Sequence, residues 1–305
     1  MITQDLLQAL ERENISFLAE ASLREYHSFH VACKAALIVM PKSVGQLCAA
    51  ISLLDGAEVP TVLLGKGSNV LFAKSYYEGA VLLTTEVKGI SITWIGEEEA
   101  LVHCPCGSGL TPLSAKVAEE GLSGLEFAFG IPGTVGGAIF MNAGAYGGQI
   151  SDVLLRSIAY DRKTKNVFTV TEHGFGYRHS IYMERPELIC LEAVFSLKKG
   201  NVEHIHETMR ELARSRRDKQ PLEYPSAGSY FKRPEGYFAG KLIEECGLKG
   251  TRIGDAQVSE KHAGFLINRA NATAEDILAL EKLVSRRVWE EKSVLLEREV
   301  RVIES

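Results

Sequence analysis

The chain has 305 residues, of which 46% are hydrophobic and 24% charged, and its net charge at pH 7 is −5. This balance is that of an ordinary globular protein and excludes a disordered or fibrous one, while the length exceeds what one hydrophobic core organises, so two or three domains are expected. Charges of both signs are interspersed along the chain, which leaves no broad basic face for a phosphate backbone and argues against DNA or RNA as partner.

The N-terminus, Met1-Ile2-Thr3-Gln4-Asp5, has no basic region followed by an apolar stretch, and no run of about eighteen apolar residues occurs anywhere. The expectation is a protein neither exported nor inserted in a membrane. Residues 3–20 read as one amphipathic helix with Leu6, Leu7, Leu10 and Ile15 on its apolar side. Strands are expected at Leu37 to Met40, Val62 to Leu64, Val70 to Phe72 and Val81 to Leu83, with a helix from Val44 to Leu54. Further strands follow at Ile90 to Ile95, Ala100 to Cys104, Val153 to Asp161, Val167 to Val170 and Ile189 to Leu197. They flank Gly107 to Gly148, so rich in glycine and alanine that it reads as a poor core and a good surface for close approach.

A helix from Val202 to Lys219 ends in Arg214, Arg216, Arg217 and Lys219, and Pro221 to Pro225 marks a boundary. Beyond it, Gly240 to Cys246 and Thr273 to Trp289 read as helices, the second opening with Thr273 and Asp276 in capping-box spacing. Glu297 to Ile303 reads as a strand with Glu297, Glu299 and Arg301 on one face. The six cysteines are scattered through a chain too large to need disulfide staples, which points to a reducing compartment, the cytoplasm. Cys104-Pro105-Cys106 reads as small residues in a turn, and neither the cysteines nor the eight histidines show metal-ligand spacing. No metal is expected.

Two glycine-rich segments carry the chemistry. Gly65-Lys66-Gly67-Ser68-Asn69 lies between two strands, whereas a dinucleotide site of the Rossmann type needs a helix after the turn. The turn is either a plain hairpin or a nest of backbone amides for a pyrophosphate, with Ser68 and Asn69 adding donors. The second segment, Leu125 to Gly148, exposes backbone beside very few side chains, as a flat aromatic ligand laid on main chain requires. Tight helix-to-sheet packing would explain two or three of its glycines.

With these segments in hand, the sequence resembles the UDP-N-acetylenolpyruvoylglucosamine reductase family, in its shorter form lacking extra insertions in the C-terminal domain. The likeness rests on Gly65 to Asn69, on Gly130-Ile131-Pro132-Gly133-Thr134-Val135-Gly136-Gly137 and on Asn142-Ala143-Gly144-Ala145. Gly176-Tyr177-Arg178-His179-Ser180, Pro225 to Lys232, Gly240 to Glu244, Gly247 to Gly250 and Glu297 to Arg301 extend it in colinear order over most of the chain. Two loops depart from the family pattern: Ala32-Cys33-Lys34 stands where Gly-Gly-Pro is usual, and Cys104-Pro105-Cys106-Gly107 where Ala-Gly-Ala-Gly is. Asp255 also replaces a commoner glycine.

The resemblance implies an α+β protein. Two α+β subdomains, 1–85 and 86–205, would form an FAD-binding fold of the PCMH or vanillyl-alcohol-oxidase kind, and 206–305 a C-terminal α+β substrate-binding domain. It implies that NADPH reduces FAD, and that the flavin then passes hydride to the enolpyruvyl methylene of UDP-N-acetylglucosamine enolpyruvate. FAD would be held by Gly65, Lys66, Gly67, Ser68, Asn69, Gly130, Ile131, Pro132, Gly133, Thr134, Gly136, Gly137, Asn142, Ala143, Gly144 and Ala145. Arg178 would clamp the substrate carboxylate, Ser229 would donate the proton, and Glu299 would act as second acid or orient the intermediate. Tyr177 and Lys232 would shape the flavin site and bind substrate anions, in a chain expected to act as a monomer. Two other readings stay open: another FAD-dependent oxidase or dehydrogenase of the same fold, and a non-catalytic nucleotide-binding module.

Overall fold

The computed structural model describes residues 2–304. Met1, at the head of the N-terminal stretch, and Ser305, at the end of the expected third domain, lie outside the described residues. In chain order the elements begin with α1 (Gln4–Arg12), β1 (Ser16–Ser22), β2 (Lys34–Met40), α2 (Val44–Gly56), β3 (Thr61–Leu64), β4 (Val70–Phe72) and β5 (Tyr76–Leu83). Next come β6 (Ser91–Ile95), β7 (Glu99–Pro105), α3 (Leu110–Glu119), β8 (Leu122–Ser123), α4 (Val135–Met141), β9 (Gly144–Ala145) and β10 (Gly148–Gln149). The chain continues through β11 (Leu154–Asp161), β12 (Val167–Val170), α5 (Ile181–Glu184), β13 (Leu188–Lys199), α6 (Val202–Lys219) and α7 (Ala239–Glu245). It closes with β14 (Arg252–Ile253), β15 (Ala256–Val258), β16 (Leu266–Asn268), α8 (Ala274–Lys292) and β17 (Arg301–Ile303). These elements form two compact units. The first comprises residues 1–19, 37–65 and 79–215, the second residues 20–36, 66–78 and 216–305.

The first unit holds two cores. Leu6 and Leu10 of α1 pack with Leu47, Ile51 and Leu54 of α2 and with Leu37 and Val39 of β2, in a sheet ordered β1-β2-β5-β3. Both helices begin at capping hydroxyls: Thr3 accepts from the Leu6 amide at 3.3 Å and Ser43 from the Gln46 amide at 3.2 Å, which satisfies amides the helix itself cannot. The helix expected over residues 3–20 stops at Arg12, because Asn14 takes a left-handed turn (φ 53°) and the chain leaves it as β1. Ile15 remains buried in this core, as its place in the apolar pattern implied.

The other core lies on a larger sheet ordered β12-β11-β13-β7-β6, with β8 also paired to β13. Its twelve-residue β13 is buried on both faces for most of its length. Cys104 and Pro105 close β7 and only Cys106 opens the following turn, so the Cys-Pro-Cys segment is not wholly a turn. The stretch expected to make a poor core contributes heavily to this one: Leu110, Leu113 and Val117 of α3, then Leu125, Phe127, Val135 and Ile139, are all buried. Small residues there let larger neighbours close in. Ile205 and Met209 of α6 cover Ala118 and Phe129.

The second unit is built on α8, whose Ile277, Leu280, Val284 and Val288 form one buried stripe against Phe29, Leu71, Tyr230, Leu242, Ile243 and Leu266. Thr273 and Asp276 cap α8 reciprocally at 3.1 and 3.0 Å. A three-stranded sheet, β14-β15-β16, and the parallel pair β4 and β17 complete the unit. The strand expected from Glu297 is regular only over Arg301–Ile303, since residues before it pair singly with other segments rather than with one continuous partner.

Candidate active site

The Gly65 to Asn69 turn is not a hairpin: β3 pairs in parallel with β5, and β4 with β17. A Cβ on Gly65 would stand 2.3 Å from Thr134 Oγ1, so main chain there touches Thr134 directly. Gly67 has φ 58°, and a Cβ on it would meet the Tyr26 carbonyl oxygen at 2.3 Å. Its own carbonyl accepts from the Ser28 amide at 3.0 Å and the Ser28 hydroxyl at 3.3 Å. Asn69 donates through Nδ2 to the Glu299 carbonyl at 3.2 Å, and its carbonyl accepts from the Arg301 amide at 3.0 Å. The turn is therefore braced from both sides, with Lys66 exposed and Ser68 half-buried on it.

In the second glycine-rich segment, packing within the protein accounts for several glycines. A Cβ would lie 2.9 Å from Cys106 Cβ at Gly136, 2.8 Å from Gln149 Cβ at Gly144, and 2.7 Å from the Phe127 ring at Gly148. Gly130 has φ 82° and donates to Thr111 Oγ1 at 3.1 Å, while the Gly133 carbonyl accepts from the Leu110 amide at 3.0 Å. At the start of α4 the amides of Val135, Gly136 and Gly137 are satisfied by Ser108, Cys106 and the Thr134 hydroxyl at 2.8, 2.8 and 3.4 Å. Those three amides are thus engaged within the protein. Gly137 differs from its neighbours: it is exposed, and the nearest atom to an added Cβ lies at an ordinary 3.5 Å. With exposed Gly130 and Pro132 and half-buried Ile131 and Gly133, it offers backbone that a flat ring system can approach closely.

Asn142 caps α4 in left-handed conformation (φ 42°), and its side chain works inside the protein. Nδ2 donates to Gln149 at 3.3 Å and to the Gly176 carbonyl at 3.0 Å, while Oδ1 accepts from the Ser151 amide at 3.0 Å. It thereby ties the Ala143 to Ala145 strand start to the turn that carries Tyr177 and Arg178. That turn is closed by paired Gly176 and His179, with amide-to-carbonyl distances of 3.2 and 3.3 Å, and Arg178 has φ 54°. Ser180, fully buried, donates to the Phe140 carbonyl at 2.8 Å. The Arg178 guanidinium donates to the Gly144 carbonyl at 3.2 Å and lies 5.2 Å from the centroid of the exposed Tyr177 ring. A half-buried, oriented guanidinium of this kind can bind a carboxylate through two parallel bonds.

Within the second unit, Ser229 sits exposed between the buried Ala227 and Tyr230, after Gly228 at φ 76°. The Tyr230 amide donates to the Gly264 carbonyl at 2.8 Å, and the Tyr230 carbonyl accepts from the Glu299 amide at 2.9 Å. Ser229, Glu299 and Asn69 therefore belong to one cluster. Lys232 is also held here, its amide donating to the Glu297 carbonyl at 2.8 Å and its ammonium paired with the Glu297 carboxylate. Sequence reasoning missed Glu281, which takes the Tyr230 hydroxyl at 2.7 Å and Arg298 Nε at 2.9 Å and so grips the residues next to Ser229 and Glu299. Its only signal was a carboxylate on the otherwise apolar side of α8.

At the departures from the family pattern the cysteines are closed to solvent, while Ala32 and Lys34 are exposed. Cys33, Cys104 and Cys106 are buried, and burial pushes their thiols up to about 11, about 12 and about 12. Asp255 is tied to the Arg269 and Asn271 amides through its carbonyl and carboxylate at 2.9 and 3.1 Å.

The arrangement is that of an α+β flavoprotein oxidoreductase: residues 35–162 match the FAD binding domain model, and residues 220–303 match the model of the UDP-N-acetylenolpyruvoylglucosamine reductase C-terminal domain. A UDP-N-acetylenolpyruvoylglucosamine reductase of Caldicellulosiruptor bescii is 43% identical over 96% of this chain and 93% of its own. One of Oceanobacillus iheyensis is 41% identical over 98% and 95%. The crystal structure of the reductase from Thermus caldophilus superposes with a TM-score of 0.74 at 33% identity, covering 94% of this chain and 98% of that one. The chain belongs to the UDP-N-acetylenolpyruvoylglucosamine reductase family.

Proposed function

We propose that this protein uses FAD and NADPH to reduce UDP-N-acetylglucosamine enolpyruvate to UDP-N-acetylmuramate, a step in peptidoglycan precursor synthesis. Family membership along nearly the whole chain supports the reaction and the flavin. The residues present fit FAD: an exposed, side-chain-poor face at Gly130 to Gly137 suits a flat ring, and the braced Gly65 to Asn69 turn suits a phosphate group. Bound FAD would supply the hydride chemistry, accepting hydride from NADPH and giving it to the substrate.

The protein's own contribution is electrostatic. An enol ether accepts hydride only if its neighbouring carboxylate can take up negative charge, and Arg178 is assigned to that carboxylate. The enolate that results needs a proton at carbon. Ser229, which carries its proton at every physiological pH, is assigned as donor, with Glu299 as second acid or orienting group. The observation that carries these two roles is the 2.9 Å bond from the Glu299 amide to the carbonyl next to Ser229. Tyr177 is assigned to the flavin side of the site and Lys232 to substrate anions. Residues 1–85 and 86–205 are assigned to FAD and 206–305 to substrate, with Phe29 and Leu71 of the first stretch packing in the core of the third. Among the described residues no helix is long and apolar enough to cross a membrane, and we assign the protein to the cytoplasm as a monomer.

The test is optical. Purified protein should be yellow, bleach with NADPH, and recolour rapidly without oxygen when the UDP-enolpyruvyl sugar is added. Protein that stays colourless after FAD is supplied would end this reading, and recolouring by oxygen alone would favour an oxidase.

A further inference from the structure

Three buried side chains of the first unit form a hydrogen-bonded group that none of the assigned steps uses. Ser157 Oγ, on β11, lies 2.8 Å from His173 Nε2 and 2.7 Å from the Tyr182 hydroxyl. All three residues are buried, Ser157 completely. A hydroxyl sealed in this way meets no substrate, which excludes a nucleophilic role despite the serine and histidine pairing. The neutral chain can order itself as Tyr182 hydroxyl to Ser157 to His173.

The positions of the three explain what they hold. His173 and Tyr182 are the two feet of a short excursion from the sheet, and its tip is the Gly176 to His179 turn carrying Tyr177 and Arg178. The feet also meet through main chain, the Ile181 amide donating to the His173 carbonyl at 2.7 Å. Phe175 stacks on the His173 ring at 5.0 Å and 10°, which extends the hold toward the tip. Ser157 itself is fixed in the middle of the sheet, opposite Val170 of β12 and Ala193 of β13. Arg178 has positive φ, a conformation that a non-glycine residue keeps only when its surroundings enforce it.

We propose that Ser157, His173 and Tyr182 are positioning residues for Arg178: a buried clasp that closes the feet of the 173–182 excursion and thereby fixes the guanidinium at its tip for the substrate carboxylate. The proposal rests on the assignment of Arg178 as carboxylate clamp. A satisfied buried polar group specifies one arrangement, where an apolar cluster of equal volume would allow several. Losing the Ser157 hydroxyl takes a partner from both His173 and Tyr182, and losing the Tyr182 hydroxyl leaves Ser157 with His173 alone, so in either case the feet should part slightly and the tip should wander.

The test measures Ser157→Ala and Tyr182→Phe in the FAD-loaded protein, each in the native and the Arg178→Gln background. In the native background the KM for the UDP-enolpyruvyl sugar should rise about 10-fold, within the range that small misplacements produce. Flavin content and the rate of flavin reduction by NADPH should stay as they were. Amide hydrogen exchange at Gly176 and His179 should quicken in both variants. In the Arg178→Gln background neither change should raise KM further. His173→Gln, which keeps an acceptor for Ser157, should retain more substrate affinity than His173→Leu. An unaltered KM and unaltered exchange in both hydroxyl variants, with KM raised by Arg178→Gln, would overturn the clasp alone. A KM rise of equal size in both backgrounds would also overturn it. If Arg178→Gln leaves KM unchanged, the clamp assignment falls and takes the clasp's purpose with it.

Discussion

Glu299 donates its backbone amide to the carbonyl of Tyr230 across 2.9 Å, and this one bond sets the candidate second acid beside the residue that follows Ser229. If Ser229 is the proton donor, Ser229→Ala removes a hydroxyl from an exposed position and should leave fold, FAD content and NADPH-driven bleaching intact. Reoxidation by the UDP-enolpyruvyl sugar should slow by about 10²–10⁴-fold, the usual size for losing a general acid. Ser229→Cys should recover part of the loss. Stopped-flow absorbance resolves the two halves, and normal reoxidation in the alanine variant would pass the role to Glu299.

Glu281 holds both neighbours of that bond. Glu281→Leu would leave the buried Tyr230 hydroxyl without its acceptor and Arg298 without its partner, at a cost of about 1–3 kcal/mol in unfolding free energy. Glu281→Gln should cost less, since an amide oxygen still accepts from Tyr230. Urea unfolding measures both. Equal midpoints for native protein and Glu281→Leu would show that Tyr230 is held by packing alone.

Two glycines should respond in opposite senses. Gly65→Ala places a methyl 2.3 Å from Thr134 Oγ1, so the protein should be destabilised and retain FAD poorly. Gly137→Ala meets only ordinary contacts in a helix, where alanine should stabilise the apoprotein by about 0.5–1 kcal/mol. It should nonetheless weaken FAD binding, because the added methyl would stand on the face assigned to the flat ring. Thermal unfolding of apoprotein and FAD titration together test this; undiminished FAD affinity in Gly137→Ala would move the ring elsewhere.

Acid should weaken the fold through buried histidines. Burial lowers the pKa of His27, His173 and His262 below the ordinary 6.5. The folded chain refuses protons that the unfolded chain takes up, so stability holds above about pH 6.5 and falls as pH drops below it. His27 should contribute, since its Nε2 bonds the Val31 carbonyl at 3.1 Å while buried Nδ1 has no hydrogen-bond partner. His27→Gln should flatten this fall in urea midpoints measured between about pH 7.5 and 5.5. An equally steep fall in the variant would place the effect on other groups.

The thiols should be inert in the native state. Cys33, Cys104 and Cys106 are buried with their pKa values raised, so iodoacetamide at neutral pH should label none of them until the protein is unfolded. Mass spectrometry of native and urea-treated protein reads this directly, and native labelling at Cys106 would show that its loop opens.

Much of the fold was legible where periodicity and caps are local. Val167 to Val170 was readable to the residue, as was the helix from Val202 to Lys219, and Thr273 with Asp276 announced α8. Local signals also misled. Asn14 turns the chain out of α1 in a stretch whose apolar spacing continues helical, and α3 hid in text dominated by glycine and alanine. Pairings between distant segments left no trace: nothing near Asn69 shows that its side chain meets the Glu299 carbonyl, nor near Ser157 that it faces His173 and Tyr182. The glycines were legible as a group but not individually, since only the structure separates Gly136, which packs on Cys106, from Gly137, which has room.

The make-up of the second unit, drawn from residues 20–36, 66–78 and 216–305, constrains how the chain is born. Phe29 and Leu71, both fully buried in the finished unit, leave the ribosome well before α8, the helix that covers them. At about 5–20 residues per second, synthesis of the intervening chain takes on the order of ten seconds. During that interval the first unit has nearly all its sequence and can condense, while the two apolar segments await the helix that covers them. Nascent chains stalled before residue 274 should accordingly be the form that chaperones hold and proteases clip at residues 20–36 and 66–78.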